Sequence, residues 1–480
     1  MLFKKSPSIL LGLTMATMLA ACSVGPDYVR PTVVADLPAS FKENWKPAEP
    51  QDQSIPSDWW LLFNDANLNA LMTQVATSNQ TLAQAQANYR AASALVDNAR
   101  AAYLPSLSAN VSRTRSSAQQ FGINNANSGA VNALNSASIN ASWEIDIWGA
   151  VRRAVEVQEN TALASYANLQ AIRLSMQSQL AQSYFQLRTL DAQKELLERS
   201  VAEYQRSLKL TQNQYKSGVV ATDSVLLAET QLKSTQAQAL DAGILRAQYE
   251  HAIATLIGKP ASTFSIAVIP VGQDAYLPQL PDVPVALPSS LLEHRPDVAA
   301  AERSVASANA QIGVTKAAFF PSLTINGSGG YQSSSLARWI SLPNRVWSVG
   351  PALAETLFDG GARIALNNQA IAAYDASVAG YRQTVLGAFQ NVEDNLAALR
   401  ILKEEAVVQN AAAVAARKAL DVTMNQYKAG TVNYLNVVTA QTTALTNQRA
   451  ELTITNSRLI ATVQLIAALG GGWHGLDINQ

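Results

Sequence analysis

The chain has 480 residues, and its 35 lysine and arginine residues balance its 35 aspartate and glutamate residues, so its formal net charge is zero. A nucleic-acid-binding protein needs a basic excess to neutralise phosphates, and the balance therefore argues against one. Hydrophobic residues make up 48% of the chain but aromatic residues only 7%. Much of the hydrophobic fraction is alanine, which favours long, closely packed helices over a thick mixed core.

The first residues have the pattern of a targeting segment. Lys4 and Lys5 precede an apolar run, and Leu19-Ala20-Ala21 leads to Cys22, the only cysteine. The pattern resembles a bacterial lipobox, which predicts a signal peptide over 1–21 and lipid attachment at Cys22. An ordinary secretory signal with an incidental cysteine is the alternative. The Pro-rich stretch that follows predicts an extended, lipid-anchored arm over 22–57.

Two junctions of helix and strand come next, with nearly the same sequence. Residues 101–110 read AAYLPSLSAN and residues 317–326 read AAFFPSLTIN. In each copy a helical pattern meets a proline, which cannot continue a helix, and a period-two alternation follows. Strands are predicted over about 106–115, 136–148, 322–332 and 346–356.

The predicted strands have one apolar and one polar face. In the second strand Trp143 lies among the apolar positions, and Glu144 and Asp146 lie among the polar ones. Strands of this length could cross a membrane barrel wall, with the apolar face and its aromatics Trp143 and Trp347 towards lipid and the two carboxylates towards a lumen. A soluble β-sandwich would also alternate, so the pattern alone leaves both open.

Long helical hairpins occupy the rest of each half. The run after Gly149 contains no proline for about 65 residues, which corresponds to about 95 Å of helix. The sequence YKSG at 215–218 interrupts it, and YKAG at 427–430 interrupts the second run, 212 positions later. Gly218 and Gly430 are suited to end helices. A nearly constant offset over such a span indicates an internal duplication.

The duplication predicts the domain organisation. The first repeat covers 58–258 with its hairpin tip at 214–220, a connector covers 259–288, the second repeat covers 289–470 with its tip at 426–432, and a tail covers 471–480. Four strands cannot close a barrel, and an open edge in lipid leaves backbone groups unpaired. Several chains must therefore share one barrel, with twelve strands in a trimer or sixteen in a tetramer.

The chain resembles the TolC-type outer-membrane factors, in the lipoprotein branch that serves resistance-nodulation-division multidrug efflux pumps. The resemblance rests on the lipobox and on the motifs GPDY at 25–28, DWW at 58–60, WEIDIWG at 143–149, HRPDV at 294–298 and AQIG at 310–313, together with the two tip turns. His294 departs from the family, which usually has arginine there.

This resemblance implies a fold, a location and partners. The fold would be a homotrimer with a shared twelve-stranded barrel, continuous with an α-helical coiled-coil tunnel in the periplasm. The chain would lie in the outer membrane and serve as the exit duct of a tripartite pump. A periplasmic adaptor protein and an inner-membrane transporter would be its partners, and substrates would pass through it passively.

Two groups of candidate site residues follow. The tips are expected to dock the adaptor through Tyr215, Lys216 and Gly218 and through Tyr427, Lys428 and Gly430, although turn formation alone could explain these residues. Leu420, Asp421 and Met424 are the candidate constriction of the tunnel. An inward Asp421 would form an acidic ring by rotational symmetry. The alternative is a solvated Asp421 paired with Lys209 or Arg417.

No motif predicts catalysis, a cofactor or a metal site. The three histidines are scattered in the sequence, and no cysteine cluster, nucleophile elbow or phosphate loop is present. Three functions stay open at this point. An efflux duct leads, followed by the duct of a type I protein-secretion system and by a lipid-anchored, non-conducting coiled-coil scaffold.

Overall fold

A computed structural model describes residues 24–32, 55–117, 131–269, 280–281 and 294–476. Cys22 and most of the Pro-rich arm lie outside the described residues. The described part contains seven α-helices: α1 (Ala66–Ser78), α2 (Gln80–Ala101), α3 (Ala150–Lys216), α4 (Thr222–Leu256), α5 (Pro296–Ala317), α6 (Ala362–Lys428) and α7 (Tyr434–Ala468). None of these helices is both long enough and apolar enough to cross a bilayer.

Four strands form one antiparallel sheet in the order β1-β2-β3-β4. They are β1 (Ser106–Ser117), β2 (Val131–Ile145), β3 (Ser322–Ser333) and β4 (Arg345–Ala354). Strand β2 pairs with both β1 and β3, whereas β1 and β4 each pair with one neighbour in the described part of the chain. The sheet therefore has two open edges, one on β1 and one on β4.

The internal duplication is visible in the elements. Helices α2 and α5 have 22 residues each, α3 and α6 have 67 each, and α4 and α7 have 35 each. Strand β1 begins directly after Pro105, and β3 begins directly after Pro321. Because proline lacks the amide proton that a helix interior requires, these two positions end the helical segment and begin the strand.

The chain divides into two compact units. The first includes the segment 24–32 with residues 88–117, 131–166 and 300–381, and it contains the sheet. The second includes residues 167–269 and 382–476 and contains both hairpin tips. In the second unit α3, α4, α6 and α7 enclose two apolar clusters. One contains Leu196, Leu197, Ala242 and Leu445, and the other contains Ala228, Tyr427, Tyr434 and Val437.

Candidate functional site

The register of the sheet gathers most of the large apolar residues of the four strands on one face, with Leu134 and Val346 as exceptions. Ala109 pairs with Ile139, Trp143 with Ile325, and Gly329 with Trp347. Because side chains alternate along a strand, all odd-numbered strand residues share this face. Trp347 is 71% exposed and Ile139 61%, whereas Trp143 is 37% exposed and Leu323, Ile325 and Tyr331 are partly buried. We call it the apolar face; Trp143 and Trp347 both lie on it.

The opposite face is hydrophilic. The hydroxyls of Ser328 and Ser348 lie 2.8 Å apart, and Ser142 donates a hydrogen bond to Asn326 Oδ1 at 3.0 Å. Glu144 pairs with Thr324 and lies on the same face. A face lined by serine, threonine and asparagine hydroxyls and amides has the polarity expected of a water-filled lumen.

Asp146 lies elsewhere than its sequence position suggested. Strand β2 ends at Ile145. The Asp146 carboxylate instead accepts hydrogen bonds from the backbone N–H groups of Val151 (2.9 Å) and Arg152 (3.0 Å) and from Arg152 Nε (3.2 Å). Free N–H groups in the first turn of a helix attract a carboxylate. Asp146 therefore caps the first turn of helix α3, and its assignment to the strand face is wrong.

In the second repeat Asp359 caps the first turn of α6 in a similar way. Asp359 accepts from the backbone N–H groups of Gly361 (2.9 Å) and Arg363 (3.2 Å) and from Arg363 Nε (2.6 Å). The Arg363 guanidinium is the main cause that holds the pKa of Asp359 below its usual range, followed by the two backbone N–H donors. The negative charge is thus maintained at the start of α6.

Aromatic side chains form hydrogen bonds and ring contacts at the strand ends nearest to Pro105 and Pro321. Trp143 Nε1 donates to the carbonyl oxygen of Tyr103 at 3.0 Å. Trp148 Nε1 donates to the carbonyl oxygen of Pro321 at 2.8 Å, and its ring stacks on Phe320 with centroids 4.8 Å apart. Amphipathic aromatic rings of this kind collect at membrane-water boundaries.

The segment 24–32, which follows Cys22 closely, is held along the first unit. Its Val24 N–H donates to the carbonyl oxygen of Trp148 at 3.0 Å, Asp27 pairs with Arg153 at 2.7 Å, and Tyr28 Oη donates to Glu302 Oε1 at 2.5 Å. Burial raises the pKa of Tyr28, so its hydroxyl stays a donor. The arm is thus docked on helices α3 and α5 where the structure describes it.

Both hairpin tips end their first helix in the same way. Gly218 and Gly430 have φ angles of 72° and 75°, in the left-handed region. The N–H of Val219 donates to Gln214 O at 2.9 Å, and the N–H of Thr431 donates to Gln426 O at 3.0 Å. These bonds span five residues, the Schellman arrangement that satisfies the last carbonyls of a helix. The glycines are therefore required by the turn itself.

The two tip tyrosines differ, although they occupy duplicate positions. Tyr215 is 47% exposed, whereas Tyr427 is 2% exposed. The hydroxyl of Tyr427 lies 3.0 Å from that of Thr211, and its ring packs edge-on against Tyr434. Burial raises the pKa values of both Tyr427 and Tyr434. Tyr427 is thus a core residue, and its assignment to an exposed docking surface is wrong for the single chain. Lys216 and Lys428 are exposed.

The candidate constriction residues lie together near the second tip. Leu420, Asp421 and Met424 line a cavity of about 290 Å³ with Glu203, Arg206 and Lys428. Asp421 is exposed, and no hydrogen bond or ion pair joins its side chain to Lys209, to Arg417 or to any other described residue. Its carboxylate is therefore available to the solvent on this face of α6.

A second feature, which the sequence analysis did not identify, is a row of buried polar contacts. Tyr184 Oη donates to Asp65 Oδ2 at 2.7 Å, and Arg188 Nε donates to Tyr184 Oη at 3.1 Å. Asp191, which is 3% exposed, accepts from Arg188 at 3.3 Å and from Arg246 at 2.6 Å. We call Arg188, Asp191, Arg246 and Glu250 the buried ion cluster.

The buried ion cluster also holds the connector. Arg188 Nη1 donates to the carbonyl oxygen of Ala267 at 3.0 Å, and Arg246 Nη2 donates to that of Ile266 at 2.7 Å. Glu250 accepts from the N–H of Ile266. Three side chains on two helices thus fix a stretch that has no regular secondary structure. A signal was present, since Arg188 has a duplicate at Arg400 and stands in an apolar helical run.

A hydrophilic and an apolar face on one four-stranded sheet, together with paired helical hairpins, are the architecture of a membrane channel subunit. The outer membrane efflux protein family model matches residues 71–259 and 287–471, and the chain belongs to this family. It is an outer-membrane protein of efflux, as the resemblance to TolC-type factors predicted.

The similarity to known outer-membrane proteins extends over nearly the full length of the chain. The outer membrane protein OprJ of Pseudomonas aeruginosa is 30% identical over 467 residues, covering 96% of this chain and 95% of that protein. The cation efflux system protein CusC of Escherichia coli O157:H7 is 27% identical, covering 98% and 100%. The toluene efflux pump outer membrane protein TtgC of Pseudomonas putida is 28% identical, covering 96% and 94%.

Solved structures of outer-membrane channels superpose on this chain as well. The outer-membrane channel OprN superposes with a TM-score of 0.87 at 29% identity, covering 94% of this chain and 100% of that one. The open-state MtrE outer membrane channel of Neisseria gonorrhoeae gives 0.80 at 27% identity, covering 94% and 98%. The expected fold class, the efflux function and the outer-membrane location are confirmed. Of the three functions left open by the sequence, these likenesses support the first.

Proposed function

We propose that three copies of the chain close one twelve-stranded barrel that serves as the exit duct of a tripartite pump. The observation that carries the proposal is the sheet with two open edges, on β1 and β4. Each edge leaves a row of backbone groups without partners, at several kcal/mol per group in lipid, and pairing β4 of one copy with β1 of the next removes both edges. Single-chain barrels of this kind have an even number of strands, and a barrel of twelve strands meets this condition.

The assembly itself is the first test. Purified protein should have the mass of three chains by native mass spectrometry, and it should conduct ions in a planar bilayer. A monomer or a tetramer would contradict the proposed closure, and a trimer without conductance would favour the scaffold.

The docking of a periplasmic adaptor at the tips is part of the proposal. Support comes from the exposed Lys216 and Lys428, which flank turns of identical geometry, and from the exposed ring of Tyr215. The inner-membrane transporter of the resistance-nodulation-division class would supply the energy, and the duct would conduct passively. Lipid attachment at Cys22 and the docked segment 24–32 would hold each copy at the membrane surface.

Reversing the charge of both tip lysines should weaken adaptor binding. In the double variant Lys216→Glu and Lys428→Glu, site-directed cross-linking between the tips and the adaptor should fall several-fold. Two positive charges in each copy, which attract the adaptor under this proposal, would become negative charges that repel it. Lys233→Glu, on an exposed position of α4 away from the tip, is the matched control and should leave cross-linking unchanged. Equal cross-linking in all three proteins would remove the lysines from the docking surface.

Asp421 is proposed as the constriction carboxylate. Its side chain has no partner among the described residues, and Leu420 and Met424 lie beside it at the same cavity. Three such carboxylates around an axis would attract cations. Asp421→Ala should therefore reduce the preference for cations over anions and change the single-channel conductance in a planar bilayer. Asp223→Ala, at the start of α4, is a control for the loss of one tip charge. Unchanged selectivity and conductance in Asp421→Ala would place Asp421 outside the constriction.

The cargo is proposed only as a class. Relatives named for the efflux of cations, antibiotics and toluene share similar identity with this chain. A duct lined by serine, asparagine and threonine suits many solutes, and selection would then lie in the transporter. We propose drugs or other toxic small molecules as the substrates.

A further inference from the structure

The apolar face carries a groove of about 470 Å³ near the strand ends that lie away from Pro105 and Pro321. We call these ends the outer ends and the hollow the strand groove. Its lining on the apolar face includes Val111, Ile139, Gly329, Tyr331, Arg345 and Trp347. The groove is a hollow in the apolar face.

The groove exists because its floor lacks a side chain. Gly329 pairs with Ile139 on one side and with Trp347 on the other. A Cβ atom built on Gly329 meets no other atom within 4 Å. The large side chains of Ile139 and Trp347 thus form two walls, separated by about two strand spacings, or about 10 Å. An extended hydrocarbon chain fits a hollow of this width and polarity.

Arginine side chains stand at the outer end of the same face. Arg345 pairs with Tyr331, one step outward from Trp347, and Arg113 and Arg115 have odd positions on β1. All three are exposed, and no hydrogen bond or ion pair joins any of their side chains to another described residue. Across 101–143 and 318–354 the sequence contains four arginines and no aspartate or glutamate. The outer ends therefore have a positive charge that nothing in these segments neutralises.

The position of Arg345 corresponds to the edge of the hydrocarbon layer. From Leu323 to Tyr331 the apolar face extends over eight residue-to-residue steps of β3, which is about 27 Å along the strand and about 20 Å along the membrane normal at a tilt of about 40°. The apolar band of such barrels is about 25 Å tall. Arg345 thus lies where the phosphates of the lipid headgroups begin. An arginine on a lipid-facing surface is costly unless an anion pairs with it.

We propose that the strand groove binds one phosphate-bearing lipid of the outer leaflet in each copy of the chain. One acyl chain lies over Gly329 between Ile139 and Trp347, and the phosphate accepts hydrogen bonds from the guanidinium of Arg345. The planar guanidinium can donate two parallel hydrogen bonds to a phosphate, which favours such a headgroup over an uncharged one. The proposal requires the apolar face to contact lipid, as in the barrel proposed above.

Native mass spectrometry of the detergent-solubilised protein tests this directly, because one spectrum gives both the number of chains and the number of bound lipids. The protein is titrated with phosphatidylglycerol and, separately, with uncharged monogalactosyl diacylglycerol of the same acyl chains. The wild type should retain phosphatidylglycerol preferentially, at up to one molecule per chain. Arg345→Gln should lower that retention about tenfold and leave the galactolipid unchanged. Gly329→Leu should abolish retention of both lipids.

Matched controls separate the groove from general effects. Arg90→Gln removes one exposed arginine from α2, and Gly350→Leu adds a leucine on the hydrophilic face, where a Cβ also meets open space; both should retain phosphatidylglycerol like the wild type. If Gly329→Leu does not assemble, Arg345→Lys, which keeps the charge but not the paired donors, should give intermediate retention. Equal retention of the two lipids by the wild type, or unchanged phosphatidylglycerol retention in Arg345→Gln, would overturn the proposal. Loss of the trimer mass would instead count against the barrel.

Discussion

Replacing Asp191 with alanine is expected to destabilise the region around the connector by about 3–5 kcal/mol. Asp191 is almost completely buried between Arg188 and Arg246, at 3.3 Å and 2.6 Å. Without its carboxylate, two guanidinium groups remain in a poorly hydrated site, and Glu250, 3.2 Å from Arg246, is the one carboxylate among the described residues that still pairs with either of them. The free energy of local opening, measured by hydrogen exchange across α3, α4 and residues 259–269, should fall by this amount.

An exposed ion pair on the same helix provides the control. Lys194 and Glu198 lie 3.7 Å apart, with side chains 41% and 60% exposed. Because water solvates both charges, Glu198→Ala should change the opening free energy by no more than about 0.5 kcal/mol. Similar losses in the two variants would mean that burial does not set the contribution of Asp191.

Truncating Tyr427 is expected to loosen the second hairpin tip. Tyr427→Ala removes a buried ring from the cluster with Tyr434, Ala228 and Val437 and leaves the Thr211 hydroxyl without this partner. Losses of about 3–5 kcal/mol are usual for a buried aromatic residue replaced by alanine. Hydrogen exchange of residues 420–440 should accelerate accordingly.

The duplication supplies an internal control for this experiment. Tyr215 has the same place in the first tip but is half exposed, so Tyr215→Ala should cost no more than about 0.5 kcal/mol. Tyr427→Phe keeps the ring and removes only the hydroxyl, which should cost about 1 kcal/mol. If Tyr215→Ala and Tyr427→Ala loosened their tips equally, the asymmetry described here would be wrong.

The sequence predicted the architecture well because its signals are local. Pro105 and Pro321 stop helices wherever they occur, alternation along β2 shows which residues share a face, and Gly218 and Gly430 suit a left-handed turn. Each of these features depends on a few neighbouring residues. The number of strands, the order of the elements and the duplication could therefore be derived from the sequence alone.

Contacts between distant residues could not be derived in this way. Tyr427 is buried because Thr211, 216 positions earlier, faces it, and no local pattern distinguishes it from Tyr215. The alternation of β2 extended to Asp146 in the sequence, but the free N–H groups of α3 attract its carboxylate more strongly than the strand does. Arg345 lay just outside the strand predicted over 346–356, and its relation to the groove required the register.

The unequal tip tyrosines have a consequence for symmetry. Three copies of a duplicated chain would present six hairpin tips in a ring, and six identical tips would give sixfold symmetry. Since only Tyr215 is exposed, tips with and without an accessible ring would alternate, and the ring would be threefold. A partner that binds the tyrosine ring would then find three sites, whereas one that binds only the turn backbone would find six, so counting adaptor molecules per assembly would reveal which surface they recognise.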